Sequence, residues 1–371
     1  MIDRSAVTTL LDRARCEVDE GLLPSVQIAL GFEGEIVADE VFGEASSDTR
    51  YGIFSAVKPF VASTVWSLIG EQKLDPAERV SSYFPEFSEN GKAEVTLEQV
   101  MLHTAGFPRA PMGPPTWFER EQRIKQMARW ELNWEPGTRY EYHATSAHWV
   151  LAELIERATG QTFCEAVEER VTAPLGLPRL LGIPLAEQND IADVVMVGEP
   201  ATPDELEATF GVRELPVTEV THDAILALNE PSARELGVPG GGGVARARDL
   251  ALFYQALLHN PADIWEPALL RDVTGRVRNR LPDPSGFPAN RSLGLLVAGD
   301  DGYSHIRGLG RTVSPACFGH NGAGGQLAWA DPATGLSLGY VTNGYDIHEI
   351  RSPRRGTSIG SLAGLCSPGK E

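Results

Sequence analysis

The stretch Tyr51-Gly52-Ile53-Phe54-Ser55-Ala56-Val57-Lys58-Pro59 decides how this chain reads. A serine hydroxyl is a poor nucleophile at neutral pH and needs a base within hydrogen-bond reach. Residues three apart on a helix share a face, so Ser55 and Lys58 meet if a helix starts here. Val57, Phe60, Val61, Thr64, Val65, Leu68 and Ile69 recur with helical spacing, which predicts a helix over residues 55–72 behind a strand that closes at Phe54. Pro59 supports that start, because a proline in the first turn lacks only a donor that has no intrahelical partner. Ser55 would then stand at the positive end of the helix dipole, where a developing alkoxide is favoured. Lys58, half buried behind it, would have its pKa lowered enough to serve as base.

Two downstream segments complete this chemistry, Tyr142-His143-Ala144 and His320-Asn321-Gly322. A phenol beside an ammonium loses its proton more easily, and the pair can pass a proton from Ser55 to a leaving oxygen. Tyr142 follows the turn Trp134-Glu135-Pro136-Gly137-Thr138 and precedes a helix; Tyr140, two positions earlier, would share a strand face with it, and spacing does not separate the two. Residues Phe318 to Leu327 read as an edge strand of small residues, paired with a strand from Leu336 to Thr342 across the turn Asp331-Pro332-Ala333-Thr334-Gly335. Gly322, Gly324 and Gly325 would let a substrate lie close against the backbone.

Further segments stand in the same order: Met101-Leu102-His103-Thr104-Ala105-Gly106-Phe107-Pro108, the run LAELIERATG over residues 151–160, Pro174-Leu175-Gly176-Leu177, and a glycine run at 240–243 before a helix. Over roughly residues 5 to 345 the series resembles the serine β-lactamase-like superfamily, which holds class C β-lactamases, D-alanyl-D-alanine peptidases and family VIII carboxylesterases. Tyr-His-Ala, a following helix with Trp149, and Gly-His-x-Gly-Ala-Gly-Gly are most similar to the esterase branch. The resemblance implies a catalytic set of Ser55, Lys58, Tyr142 and His320, the last polarising the site or hydrogen-bonding the Tyr–Lys–Ser network. It also implies an oxyanion hole from the backbone N–H groups of Ser55 and Ala323. Gly322, Gly324, Gly325 and Trp134 would lie on the substrate side. Peptidases and lactamases usually carry Tyr-x-Asn, whose Asn binds the substrate amide. Ala144 takes that place here, which argues against amide and lactam hydrolysis and leaves esters open.

The implied fold is α/β (α+β), β-lactamase-like, with an antiparallel sheet flanked by helices and a mainly helical lobe beside it. Its elements would be a helix near 4–20, strands near 25–43, 291–299 and 318–343, and a final helix. Residues 1–79 and 236–371 would form the sheet lobe and 80–235 the helical lobe, together one domain, with Ser55 in the cleft between. The acidic stretch from Glu187 to Glu235 reads as an insertion that rims the site or covers it as a helical flap.

Other motifs yield to chemistry. Gly356-Thr357-Ser358-Ile359-Gly360 fits the nucleophile elbow of α/β-hydrolases, yet no Asp or His follows it in the chain as that fold requires. The glycines at 240–243 lack the Gly-Lys-Ser/Thr ending of a phosphate loop. His143 and His148 are five apart and do not share a helix face as zinc-binding histidines do, so no metal and no cofactor is expected. His103 reads as a residue that braces a turn.

Length and composition agree with an enzyme of small molecules. The 371 residues are 42% hydrophobic, enough for a large core, and the net charge of −19 opposes nucleic acid and anionic membrane. Residues 1 to 22 are charged and read as an amphipathic helix rather than a signal peptide, and no apolar run approaches a membrane span. Cys16, Cys164, Cys317 and Cys366 show no paired spacing, which suits a reducing cytoplasm and counts against a cell-wall peptidase. The expectation is therefore a cytoplasmic serine carboxylesterase acting on a small-molecule ester through an acyl-enzyme. An acyltransferase, a β-lactamase or D-amino-acid peptidase on the same site, and a non-catalytic binding protein are the alternatives. The chain does not specify its oligomeric state.

Overall fold

The computed structural model describes residues 2–215 and 220–367. In chain order its strands are β1 (Ser25–Phe32), β2 (Glu35–Gly43), β3 (Arg50–Gly52), β4 (Ile191–Ala192), β5 (Val195–Val197), β6 (Val244–Ala245), β7 (Leu296–Val297), β8 (Phe318–Gly319), β9 (Leu327–Asp331), β10 (Leu336–Thr342) and β11 (Gly344–Asp346). Six of them form one sheet in the order β2-β1-β10-β9-β8-β7, antiparallel at every pairing. Both ends of the chain thus build the sheet.

Alternation along β1 separates two cores, because successive side chains of a strand point to opposite faces. Val26, Ile28 and Leu30 join Leu10 and Ala14 of helix α1 (Arg4–Asp19) and Ile359 and Ala363 of the last helix, Arg351–Gly364. Ala29 faces the other way, toward the helix Ala247–His259. That helix lies so close that a Cβ at Gly339 of β10 would stand 2.0 Å from the Ala247 carbonyl oxygen. Helix α2 (Lys58–Gly70) is buried along nearly its whole length and packs on the helix Ser146–Thr159, and Phe60 stacks on Phe253 at 3.8 Å between centroids. A helix apolar all round has to be enclosed in this way.

Three expectations are corrected. The α-helix begins at Lys58, not Ser55; a 3₁₀ turn, Phe54–Val57, precedes it, and Phe54 has the left-handed φ of 46° that ends the extended stretch at Gly52. Residues 318–327 are not one edge strand. β8 is interior, between β7 and β9, and a turn at Ala323–Gly325 interrupts the chain because Gly324 and Gly325 take φ of 73° and 100°. The hairpin turn itself lies where the residues indicate, with Leu336 opposite Asp331. The acidic stretch does not stay in the helical region: β4 pairs in parallel with β3, and β5 with β11. The rejected elbow motif agrees with the structure: Gly356 to Gly360 sit inside the last helix, with no strand-to-helix turn.

Among the described residues no helix is long and apolar enough to cross a membrane. All four cysteines are free thiols, Cys16 exposed and the other three buried.

Candidate active site

The turn Phe54–Val57 runs directly into α2, and Pro59 occupies the first turn where its missing N–H costs nothing. Ser55 and Lys58 therefore project together. Lys58 Nζ lies 3.0 Å from Ser55 Oγ and donates a second hydrogen bond to the Gly240 carbonyl. The glycine run of 240–243 is what lets this loop approach, since a Cβ at Gly243 would stand 2.5 Å from Val57 Cγ2 and one at Gly240 3.1 Å from the Ala144 carbonyl. Lys58 is buried, at 1% exposure, rather than half buried. Burial first, and the Arg291 charge second, hold its pKa well below the usual lysine value. A lowered pKa makes the neutral amine easier to reach, and a neutral amine can take the proton of the hydroxyl beside it.

Tyr142 stands in the extended segment before the helix Ser146–Thr159. It is half buried with its hydroxyl enclosed and without a hydrogen-bond partner of good geometry. One ring serves two cations: Lys58 Nζ is 5.1 Å and the Arg291 guanidinium 4.9 Å from its centroid. Burial pushes the phenol pKa up, opposed by Arg291 and by the nearby Ser55 hydroxyl. At rest the group is a phenol, which corrects the expectation of easier ionisation: burial outweighs the neighbouring cation. Tyr140 is separated from Tyr142 by its partner, for its hydroxyl accepts a 2.7 Å bond from Arg291 Nε.

His320 is buried, its Nδ1 2.9 Å from the Asn321 carbonyl and its Nε2 3.5 Å from Arg291 Nη1. Burial, Arg291 and Lys58, in that order, hold it neutral. The Nδ1–H tautomer satisfies both contacts, donating to the carbonyl and accepting from the guanidinium. His143 is fixed by three bonds: Nδ1–H to the Glu141 carbonyl at 2.7 Å, the Phe107 N–H to Nε2 at 3.1 Å, and its own N–H to His103 Nδ1 at 3.2 Å. Burial lowers its pKa to about 3. His103 and His143 brace the extended segment that carries Tyr142, and among the described residues no cluster of His, Cys, Asp and Glu could hold a metal.

These groups meet on one side of a cavity of about 820 Å³. Ser55, Tyr142, His320, Gly322 and Ala323 line it together, and Met112, Trp117, Ile225, Leu228 and Tyr345 give much of the rest of its wall an apolar character. The acidic stretch therefore does rim the site, through the apolar residues of its 224–228 segment. Gly324 and Gly325 are not on the cavity wall; Gly324 is pressed against the Tyr345 ring, where a Cβ would come within 2.8 Å. Trp134 also stands outside it, its indole N–H 3.4 Å from the Thr104 carbonyl and its ring edge-on to His143. Ser358 lines a separate depression of about 740 Å³, between α1 and the last helix, beside Arg13, Cys16 and Arg354.

Arg291 escaped the sequence reading. Its signal is a cation directly before the apolar run Leu293-Gly294-Leu295-Leu296-Val297, where an arginine has to be buried with a purpose.

Fold and site together define a serine hydrolase of the β-lactamase fold, and the chain belongs to the beta-lactamase family, which matches residues 11–355. It is 29% identical over 344 residues to the esterase/beta-lactamase LipL of Mycobacterium tuberculosis, covering 85% of this chain and 76% of that protein. A penicillin-binding protein homologue from Caulobacter crescentus superposes with a TM-score of 0.78 at 26% identity, over 96% of each chain. A family VIII carboxylesterase superposes equally well, with a TM-score of 0.78 at 26% identity over 96% of each chain.

Proposed function

We propose that this protein is a serine carboxylesterase. Ser55 Oγ attacks the ester carbonyl as the Lys58 amine takes its proton, and a C–O bond forms to the serine. The backbone N–H groups of Ser55 and Ala323 hold the resulting oxyanion, a device whose single donors are worth about 3 kcal/mol of barrier. The ammonium returns the proton through the Tyr142 hydroxyl to the departing alkoxide, leaving an acyl-enzyme. Water then attacks the acyl carbon with the same groups as base and acid, and Ser55 is regenerated.

The observation that carries this reading is the 3.0 Å approach of the buried Lys58 amine to Ser55 Oγ on a cavity wall. Ala144 favours esters over amides: its methyl group offers no hydrogen bond to a substrate amide, while an ester needs none to expel its alkoxide. The test is hydrolysis of p-nitrophenyl butyrate by the unmutated enzyme and by Ser55→Ala. Turnover that falls by about 10³-fold or more in the variant supports the reading; no turnover in the unmutated enzyme, or equal turnover in both, refutes it.

A further inference from the structure

His148 is a buried imidazole that the reaction above leaves unused. It stands in the first turn of the helix Ser146–Thr159, which packs on α2, and is 2% exposed. The Lys58 backbone lies close to the ring, yet neither ring nitrogen has a hydrogen-bond partner of good geometry among the described residues. His148 is not on the cavity wall, so substrate does not touch it. Its neighbour is Lys58. A Cβ placed on Gly240 would meet His148 Cβ at 3.4 Å and Lys58 Nζ at 3.5 Å, so imidazole and amine flank the same bare stretch of backbone.

The groups that face the ring come from separate segments. Burial first, then the charges of Lys58, His320 and Arg291, hold its pKa well below the ordinary histidine value, and His103 stacks on it at 6.3 Å between centroids. No carboxylate stands among them. A polar ring left unpaired is a costly occupant of an enclosed helix position, where an apolar side chain packs without that penalty. Its use lies at one stage of the reaction. When Ser55 gives up its proton, Lys58 becomes an ammonium in a site that burial and Arg291 both make unfavourable for it. The Gly240 carbonyl and the Tyr142 ring support that charge from two directions. A neutral imidazole keeps one nitrogen lone pair and adds a third.

We propose that His148 is a positioning residue for Lys58, an uncharged polar ring behind the amine that steadies the ammonium formed as Ser55 is deprotonated. This rests on the esterase reading above and adds a group to its machinery. The proton passes from Ser55 Oγ to Lys58 Nζ and onward through the Tyr142 hydroxyl; His148 gains and loses none.

The experiment compares His148→Met with His148→Gln, two side chains of similar length and helix propensity that differ in polarity. An ammonium that is harder to form means a lower Lys58 pKa. The methionine variant should therefore lose about 10-fold in kcat on p-nitrophenyl butyrate with KM little changed, and the acidic limb of its kcat/KM profile should move to lower pH by about half a unit or more. Glutamine, with an amide oxygen to offer, should recover most of both effects. Equal losses in the two variants, or an unmoved limb in the methionine variant, overturn the proposal. If His148→Met does not fold, His148→Leu takes its place, and failure of both to fold makes the ring a packing residue and likewise overturns it. The limb is also read from the rate at which a p-nitrophenyl alkylphosphonate labels Ser55. Neither labelling nor turnover in the unmutated enzyme sinks the esterase reading; labelling and turnover with an unmoved limb sink only the role of His148.

Discussion

Lys58 Nζ stands 3.0 Å from Ser55 Oγ and, among the described residues, within salt-bridge distance of no carboxylate. An ion-paired lysine would be held as an ammonium and could only donate to the serine. Enclosure does the reverse and leaves the amine free to accept a proton.

Activity should therefore depend on a deprotonated Lys58. The expected profile of kcat/KM against pH rises through a Lys58 pKa well below the usual lysine value, with inactivation on acidification. Lys58→Arg, cationic at every accessible pH, should lose about 10²-fold or more, and an arginine variant with normal activity would exclude the lysine as base.

Lys58→Ala and Tyr142→Phe should each lower kcat by about 10²-fold or more, because both handle the same proton. The double variant should lose much less than the product of the two, the mark of groups that act as a unit. Losses that multiply would mean two independent roles.

Acid should unfold the protein earlier than its carboxylates alone require. His103, His143, His148 and His320 all have folded pKa values below the ordinary 6.5, so between those values and 6.5 the unfolded chain binds more protons. Their contribution is present above pH 6.5 and is lost as pH falls below it. Each should cost about 1 kcal/mol between pH 7 and 5.5, opposed by Glu156, whose pKa burial raises. Urea denaturation at the two pH values measures the difference, and a flat response would mean that these histidines are protonated in the fold.

Selectivity should favour esters. With Ala144 where amide hydrolases usually place an asparagine, kcat/KM for p-nitrophenyl acetate or butyrate should exceed that for a chromogenic cephalosporin by orders of magnitude. A lactam value equal to the ester value would reassign the enzyme as a β-lactamase.

The parts legible in the sequence were those set by short-range spacing. Ser55 and Lys58 are three apart beside a proline, strands stand within residues 25–43 as expected, and the turn Asp331 to Gly335 has the composition of a hairpin. What escaped depends on distant neighbours. The positive φ of Phe54 moves the helix start by three residues, and β8 becomes interior only because β7 arrives beside it. Trp134 looked like a binding residue from its place in the motif order, yet tertiary packing turns it toward His143. Arg291 has only the faint local signal of a cation ahead of an apolar run; its meaning comes from the Tyr140, Tyr142 and His320 side chains that fold around it.

The most direct test of the central claim is covalent trapping. A p-nitrophenyl alkylphosphonate should react once per chain, release p-nitrophenol in step with loss of esterase activity, and leave its adduct on the peptide containing Ser55. Ser358→Ala should label and hydrolyse normally, since Ser358 lies in the last helix in a different depression. An adduct on Ser358 or any other residue, with Ser55 unmodified in the inactivated enzyme, would contradict the account.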